Sequence, residues 1–253
     1  MAGMADSLTR TRSDAQGRPI FICGCGHSGT TLMLRTLRRV DGLSGPSNET
    51  NWAVFPILSH RLDSLRRLEA TISSQCRLVE KSPIHVFHLE RLFEARQQCQ
   101  VILCVRDARD VVASRKARGN TVERSLSKWI KSIKVAQKYR EDTRLMVVKY
   151  EDVVGDEQAL TLAKLSRFLD AHISTEHLVP GTQSRTESFN GVSGPMERPM
   201  KVNTREGHGK LRAWQFNQPL YDGRGRWKTE LSEAEINYIE CNAIDELRWC
   251  GYH

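Results

Sequence analysis

The chain has 253 residues, 39% hydrophobic and 27% charged, with a formal net charge of +8. That length suits one α/β domain, alone or with a substantial cap, and the lack of any apolar run of about 18 residues excludes a membrane-spanning helix. The positive balance fits a polyanionic ligand or nucleic acid, but only 7% of residues are aromatic and no basic–aromatic repeat of the single-strand-binding kind occurs.

Residues 1–18 are polar and read as a flexible tail with no secretory or anchoring segment, so a cytoplasmic location is expected. Residues 19–253 then form a single domain. Seven cysteines are scattered along the chain with no C-x-x-C pair and no zinc spacing, and reduced, partly buried thiols are expected.

PIFICG (19–24) is a short apolar run that predicts a buried strand. The glycine-rich GCGHSGTT of residues 24–31 follows directly. TLMLRTLRRV (31–40) then sets Leu34, Leu37 and Val40 on one side of a helix. Residues 41–51 read as a loop, and the pattern predicts a helix over about 52–70. CRLVEK (76–81) is the second predicted strand, ending at Lys81. SPIHVFHLERLFEARQQ (82–98) predicts a helix, with Pro83 near a start where its missing N–H does no harm. CQVILCVRD (99–107) is continuously apolar, as expected of a central parallel strand. Helices are expected near 109–116 and over 121–139, a fourth strand at 144–150, and a helix over 156–171. Residues 180–226 lose all periodicity, which marks a functional or disordered stretch. Ser232 and Glu235 then spell a capping box at the start of the last helix. The alternation predicts a P-loop-like three-layer α/β/α sandwich with a central parallel sheet.

The glycine loop has the spacing of a Walker A loop, but Thr30 stands where the lysine belongs. Gly26 and Gly29 permit close backbone approach, and the following helix adds roughly half a positive charge. With the hydroxyls of Ser28, Thr30 and Thr31 alongside, a phosphate-type ligand is expected. In an open parallel sheet, ligands gather at the carboxyl ends of the strands. There the sequence delivers Lys81, Arg106 and Tyr150-Glu151-Asp152. Ser114 lies eight residues beyond Arg106, about two helical turns on, and the two could hold a second, separate phosphate. Arg115 and Lys116 read as a solvated helix face.

The ordered set GCGHSGTTL, EKSP, VRDARDVVASR, VKYEDV and GRGRWK resembles the sulfotransferases that use 3′-phosphoadenosine 5′-phosphosulfate, over roughly residues 19–245. The resemblance implies that Gly26, Ser28, Gly29, Thr30 and Thr31 hold the 5′-phosphosulfate and that Arg106 and Ser114 hold the 3′-phosphate. It is nearest to the tyrosylprotein branch. That branch implies Lys81 beside the leaving phosphate, Arg118 as a further cation, Tyr150 as the tyrosine of its YE pair, and Glu49 as the base. His27 stands where the family usually has Arg or Lys, and it is expected to donate to the phosphosulfate on the leaving side alongside Lys81 and the loop amides. Arg224 and Arg226 fall in the late basic loop that closes over the nucleotide. His85 and His88 are the other base candidates, disfavoured because they sit on a predicted helix.

The expected acceptor is a small molecule, a glycolipid or a peptide, with no metal required and no nucleic-acid partner. Two other readings compete. A P-loop kinase or NTPase explains the loop spacing but leaves the lysine and a magnesium aspartate missing. A basic nucleic-acid-binding module rests on the net charge alone.

Overall fold

The computed structural model describes residues 17–46, 48–178, 214 and 220–252. Strands β1 (Ile20–Gly24), β2 (Leu43–Ser44), β3 (Arg77–Lys81), β4 (Gln100–Val105) and β5 (Leu145–Lys149) form one sheet in the order β2-β3-β1-β4-β5. Every pairing is parallel. The two-residue β2 lies within the expected 41–51 loop. It is too short to show a period-two pattern, which is why the sequence predicts four strands.

The helices are α1 (Thr30–Leu37), α2 (Leu58–Ala70), α3 (Leu89–Ala95), α4 (Ala108–Lys116) and α5 (Val122–Lys138). They continue with α6 (Tyr150–Val154), α7 (Gln158–Leu169), α8 (Trp227–Glu230), α9 (Glu233–Asn242) and α10 (Ile244–Cys250). Two predicted helices are shorter than expected. The 52–70 stretch is a 3₁₀ turn at Trp52–Val54, a break, and then α2. Phe55 precedes a proline and adopts an extended ψ of 129°, as the proline ring demands. The 82–98 stretch begins as a 3₁₀ segment, Pro83–His88, before α3. The capping box at Ser232 and Glu235 is formed as expected.

Both faces of the sheet are covered, because successive strand residues point to opposite sides. Phe21, Cys23, Val101, Leu103 and Val105 pack with residues of α2, α3, α4, α5, α9 and α10. Ile20, Ile22, Ile102 and Cys104 pack with α1 and α7. β4 is buried along its whole length, which explains its unbroken apolar sequence. All seven cysteines are free thiols. Burial raises the Cys25 thiol to about 11 and the Cys99, Cys104 and Cys250 thiols to about 12, so none of these four is a ready nucleophile.

Because all strands run one way, the glycine loop, Lys81, Arg106 and Tyr150 leave the sheet at one edge. From β1 the chain moves to β3 and β2 on one side, then crosses to β4 and β5 on the other. The glycine loop and Arg106 therefore flank the switch point of the sheet, where a crevice forms in such folds.

Candidate active site

The glycine loop begins at Gly24, whose φ is 144° and where an added β-carbon would lie 2.2 Å from the Cys104 carbonyl oxygen. The loop turns through His27, a non-glycine residue at φ 81°, and Gly29 at φ 86°. Gly29 is the N-cap of α1 and carries no side chain to cap it. The helix start thus carries no capping side chain at its N-cap, an arrangement that suits an anion. Ser28 Oγ is buried with no hydrogen-bond partner among the described residues.

Arg106 follows the end of β4 and is 7% exposed. Its guanidinium donates to the Gly223 carbonyl and lies 3.5 Å from Asp110 Oδ2. It also stacks 4.4 Å above the centre of the Tyr150 ring. Its Nε is buried and has no partner among the described residues. The indole N–H of Trp129 donates to the Arg106 carbonyl at 2.8 Å and fixes this turn from below. Ser114, on the next helix, meets His27 Nδ1 at 2.8 Å. The histidine that replaces the usual loop cation therefore joins the glycine loop to the Arg106 side. Arg118 is half-buried just past α4.

Tyr150 binds the two halves of the site together. A β-carbon at Gly29 would lie 2.8 Å from its ring. Its hydroxyl donates to the Tyr221 carbonyl at 2.7 Å and accepts from the Gly223 N–H at 3.0 Å. Burial raises the Tyr150 hydroxyl above its usual value. Asp110 accepts the N–H groups of Gly225 at 3.0 Å and Trp227 at 3.2 Å. The segment around GRGRWK is thereby docked on Arg106, Asp110 and Tyr150. Arg224 and Arg226 themselves face Asp222 at 2.8 Å and Glu230 at 2.5 Å. Most of the predicted irregular stretch 180–226 lies outside the described residues, as does the tail up to residue 16.

On the other side of β1, Lys81 is fully buried and donates to Glu49 Oε1 at 2.5 Å; the Glu49 side chain is 31% exposed. Sequence reasoning named both residues. It missed the acid beside them. Glu80 is fully buried, and its Oε1 accepts from Thr50 Oγ1 at 2.7 Å, the Thr50 N–H at 3.3 Å and Ser82 Oγ at 2.5 Å. Its Oε2 faces His85 Nδ1 at 3.3 Å. Burial pushes the Glu80 carboxyl up, but His85, Ser82 and Thr50 outweigh it and hold the group below its usual value. His85 is thus a buried partner of Glu80 and not a base facing substrate. An acid inside a strand expected to be buried was the available signal, since a buried carboxylate needs partners.

Arg115 corrects another expectation. It is 9% exposed, not solvated, and donates to Ser125 Oγ and Asn120 Oδ1, each at 3.2 Å. Its Nη1 lies 3.8 Å from where a β-carbon of Gly26 would stand. Lys116 is exposed, as expected, and pairs with Glu235 at 2.7 Å. Asp107, which follows Arg106 at the end of β4, caps α4 at the Arg109 N–H and pairs with the Arg109 guanidinium at 2.7 Å. A cavity of about 460 Å³ opens at the opposite edge of the sheet, beside Asp41, Arg77 and Asp170.

A lysine-free glycine loop and cationic residues at the carboxyl edge of a five-stranded parallel sheet make this a P-loop-like α/β fold. Residues 66–175 match the model of the sulfotransferase family, a stretch that includes Lys81, Arg106, Ser114, Arg118 and Tyr150. The chain's fold is shared with mouse sulfotransferase SULT7A1, solved in complex with PAP, at 17% identity and a TM-score of 0.58 over 91% of this chain and 85% of that one. It is also shared with the sulfotransferase domain of the curacin biosynthetic pathway, at 19% identity and a TM-score of 0.56 over 94% and 98% of the two chains. A third likeness is to the sulfotransferase domain of the Synechococcus PCC 7002 olefin synthase, at 18% identity and a TM-score of 0.54 over 92% and 98%. A search of curated proteins by sequence finds no match. No helix among the described residues is long and apolar enough to cross a membrane.

Proposed function

We propose that the protein transfers a sulfuryl group from 3′-phosphoadenosine 5′-phosphosulfate to the hydroxyl or amine of a small acceptor. The observation that carries this reading is a pair of buried donors with no hydrogen-bond partner among the described residues. Ser28 Oγ lies in the glycine loop and Arg106 Nε on the far side of the crevice. A nucleotide with a 5′-phosphosulfate and a separate 3′-phosphate offers one acceptor to each.

In this reading the loop amides and Ser28, Thr30 and Thr31 hold the 5′ end, while Arg106, Ser114 and Arg118 hold the 3′-phosphate. His27 braces Ser114, and Arg224 and Arg226 sit on the closing segment. Glu49 takes the proton from the acceptor as its oxygen bonds to sulfur and the bond from sulfur to the 5′-phosphate oxygen breaks. Lys81 and the loop amides neutralise the charge left on that phosphate. The step needs no metal, and activity is expected to persist in a chelator. Glycolipids and peptides are further acceptors to screen.

The test is incubation of enzyme with the sulfate donor and a panel of acceptors, read by mass spectrometry. Transfer adds about 80 Da to an acceptor. Failure to bind adenosine 3′,5′-bisphosphate in calorimetry would remove the reading outright.

A further inference from the structure

The segment carrying Glu49 is irregular, yet it meets the end of β3 residue by residue. Glu49 pairs with Lys81, Thr50 hydrogen-bonds Glu80 through both its N–H and its hydroxyl, and the Asn51 N–H donates to Ser82 Oγ at 2.9 Å. Asn51 is held in the left-handed region at φ 53°. Beyond it, Trp52 is buried edge-on to the His85 ring at 5.5 Å, and the Ala53 N–H reaches His85 Nε2 at 3.3 Å. Because Nε2 accepts, Nδ1 carries the ring proton, and it lies 3.3 Å from Glu80 Oε2, a close approach outside hydrogen-bond geometry. One carboxylate thus gathers Thr50, Ser82 and His85, and through them fixes Asn51 and Ala53. A polar network buried this completely tolerates few arrangements of its members.

We infer that Glu80 is a positioning residue for the transfer reaction: it sets the register of the 49–53 segment so that the Glu49 carboxylate is aimed from Lys81 toward the acceptor. Glu80 points away from the reacting groups and acts only through Thr50 and its neighbours. This inference rests on the proposed role of Glu49. It explains why an acid stands beside Lys81 inside the sheet. Without this network a loop bearing the base would sample many geometries, and small misplacements of a catalytic group lower turnover steeply.

The test compares E80Q, T50V, E49Q and the double variant E49Q/E80Q. The E80Q side chain keeps the shape but sets an amide N–H₂ or a neutral oxygen against the donors, so the register loosens. Thr50→Val removes one hydroxyl bond while the Glu80 charge stays, and it serves if E80Q folds poorly. The expectation is a roughly tenfold lower kcat for E80Q, a smaller loss for T50V, and unchanged affinity for adenosine 3′,5′-bisphosphate. In the E49Q background, Glu80→Gln should cost nothing further, because the group it positions is already gone. Wild-type kcat in E80Q and T50V, or losses that multiply in the double variant, would overturn the inference. Wild-type turnover in E49Q would remove the base assignment and this role with it, whereas failed nucleotide binding by the unmodified enzyme is the separate failure of the functional reading.

Discussion

The buried ammonium of Lys81 sits 2.5 Å from the partly exposed carboxylate of Glu49, joining strand β3 to the loop that follows α1. A fully buried lysine keeps its charge at a cost unless a partner offsets it. Glu49 is that partner on one side, and in the proposed reaction the leaving phosphate is the other. Glu49→Gln keeps the contact but removes the base. Turnover should fall by roughly 10²–10⁴-fold with nucleotide affinity nearly intact. Steady-state kinetics beside calorimetry with adenosine 3′,5′-bisphosphate checks both halves.

Arg106→Ala should act in the opposite way. It removes a fork from the proposed 3′-phosphate site, where a charge-assisted bond contributes about 1.5–3 kcal/mol. Nucleotide affinity should drop by roughly 10- to 100-fold, and equal binding would sink the assignment.

Trp129 supplies a subtler test. Its side chain is fully buried and its N–H holds the Arg106 carbonyl. Trp129→Phe leaves that carbonyl orphaned, which costs about 1–3 kcal/mol, and the smaller ring adds a cavity penalty of the same sign. The urea midpoint should fall, and nucleotide affinity should fall with it because the Arg106 turn loses its support. A lower midpoint with unchanged affinity would mean that Arg106 is positioned by its other contacts alone.

Glu151 gives the fold a pH dependence. It accepts from the Asp107 N–H at 3.0 Å and from the Tyr252 hydroxyl at 2.8 Å. Burial nevertheless raises its carboxyl above the usual value. The native state then holds a proton that the unfolded chain has released, so this group's contribution to stability is lost as pH rises through the native value. Glu151→Gln abolishes that dependence. Relative to wild type, its melting temperature should improve from pH 4 to pH 7. An offset constant with pH would show that Glu151 does not titrate in this range.

Much of this site was legible because its parts are local. A strand, a glycine loop and a helix announce themselves in fewer than twenty residues, and Arg106 is marked by the apolar run before it. Strand β2 is two residues long and has no pattern to read. The break before α2 was written in Pro56, but the helical spacing on both sides masked it. Glu80, Asp110 and Arg115 were passed over or misread because their roles rest on side-chain partners that the pattern does not reveal, some more than 100 residues away. For Arg115, helical periodicity near a charge cluster suggested solvent, whereas Ser125 and Asn120 supply the partners that make its burial tolerable.

The docking of residues 221–227 onto Arg106, Asp110 and Tyr150 has a consequence for where the chain can be cut. That short segment follows a long stretch of sequence without periodicity and looks dispensable by position. Yet a polypeptide ending before Gly223 would strip the Arg106 guanidinium of its carbonyl partner, the Tyr150 hydroxyl of its Gly223 N–H, and the Asp110 carboxylate of two N–H groups. Each is a buried polar group that water would have to reach. A nick just before Gly223 that leaves α9 and α10 packed on the sheet should therefore loosen the proposed nucleotide pocket while the sheet persists, and binding of adenosine 3′,5′-bisphosphate by the nicked protein checks it.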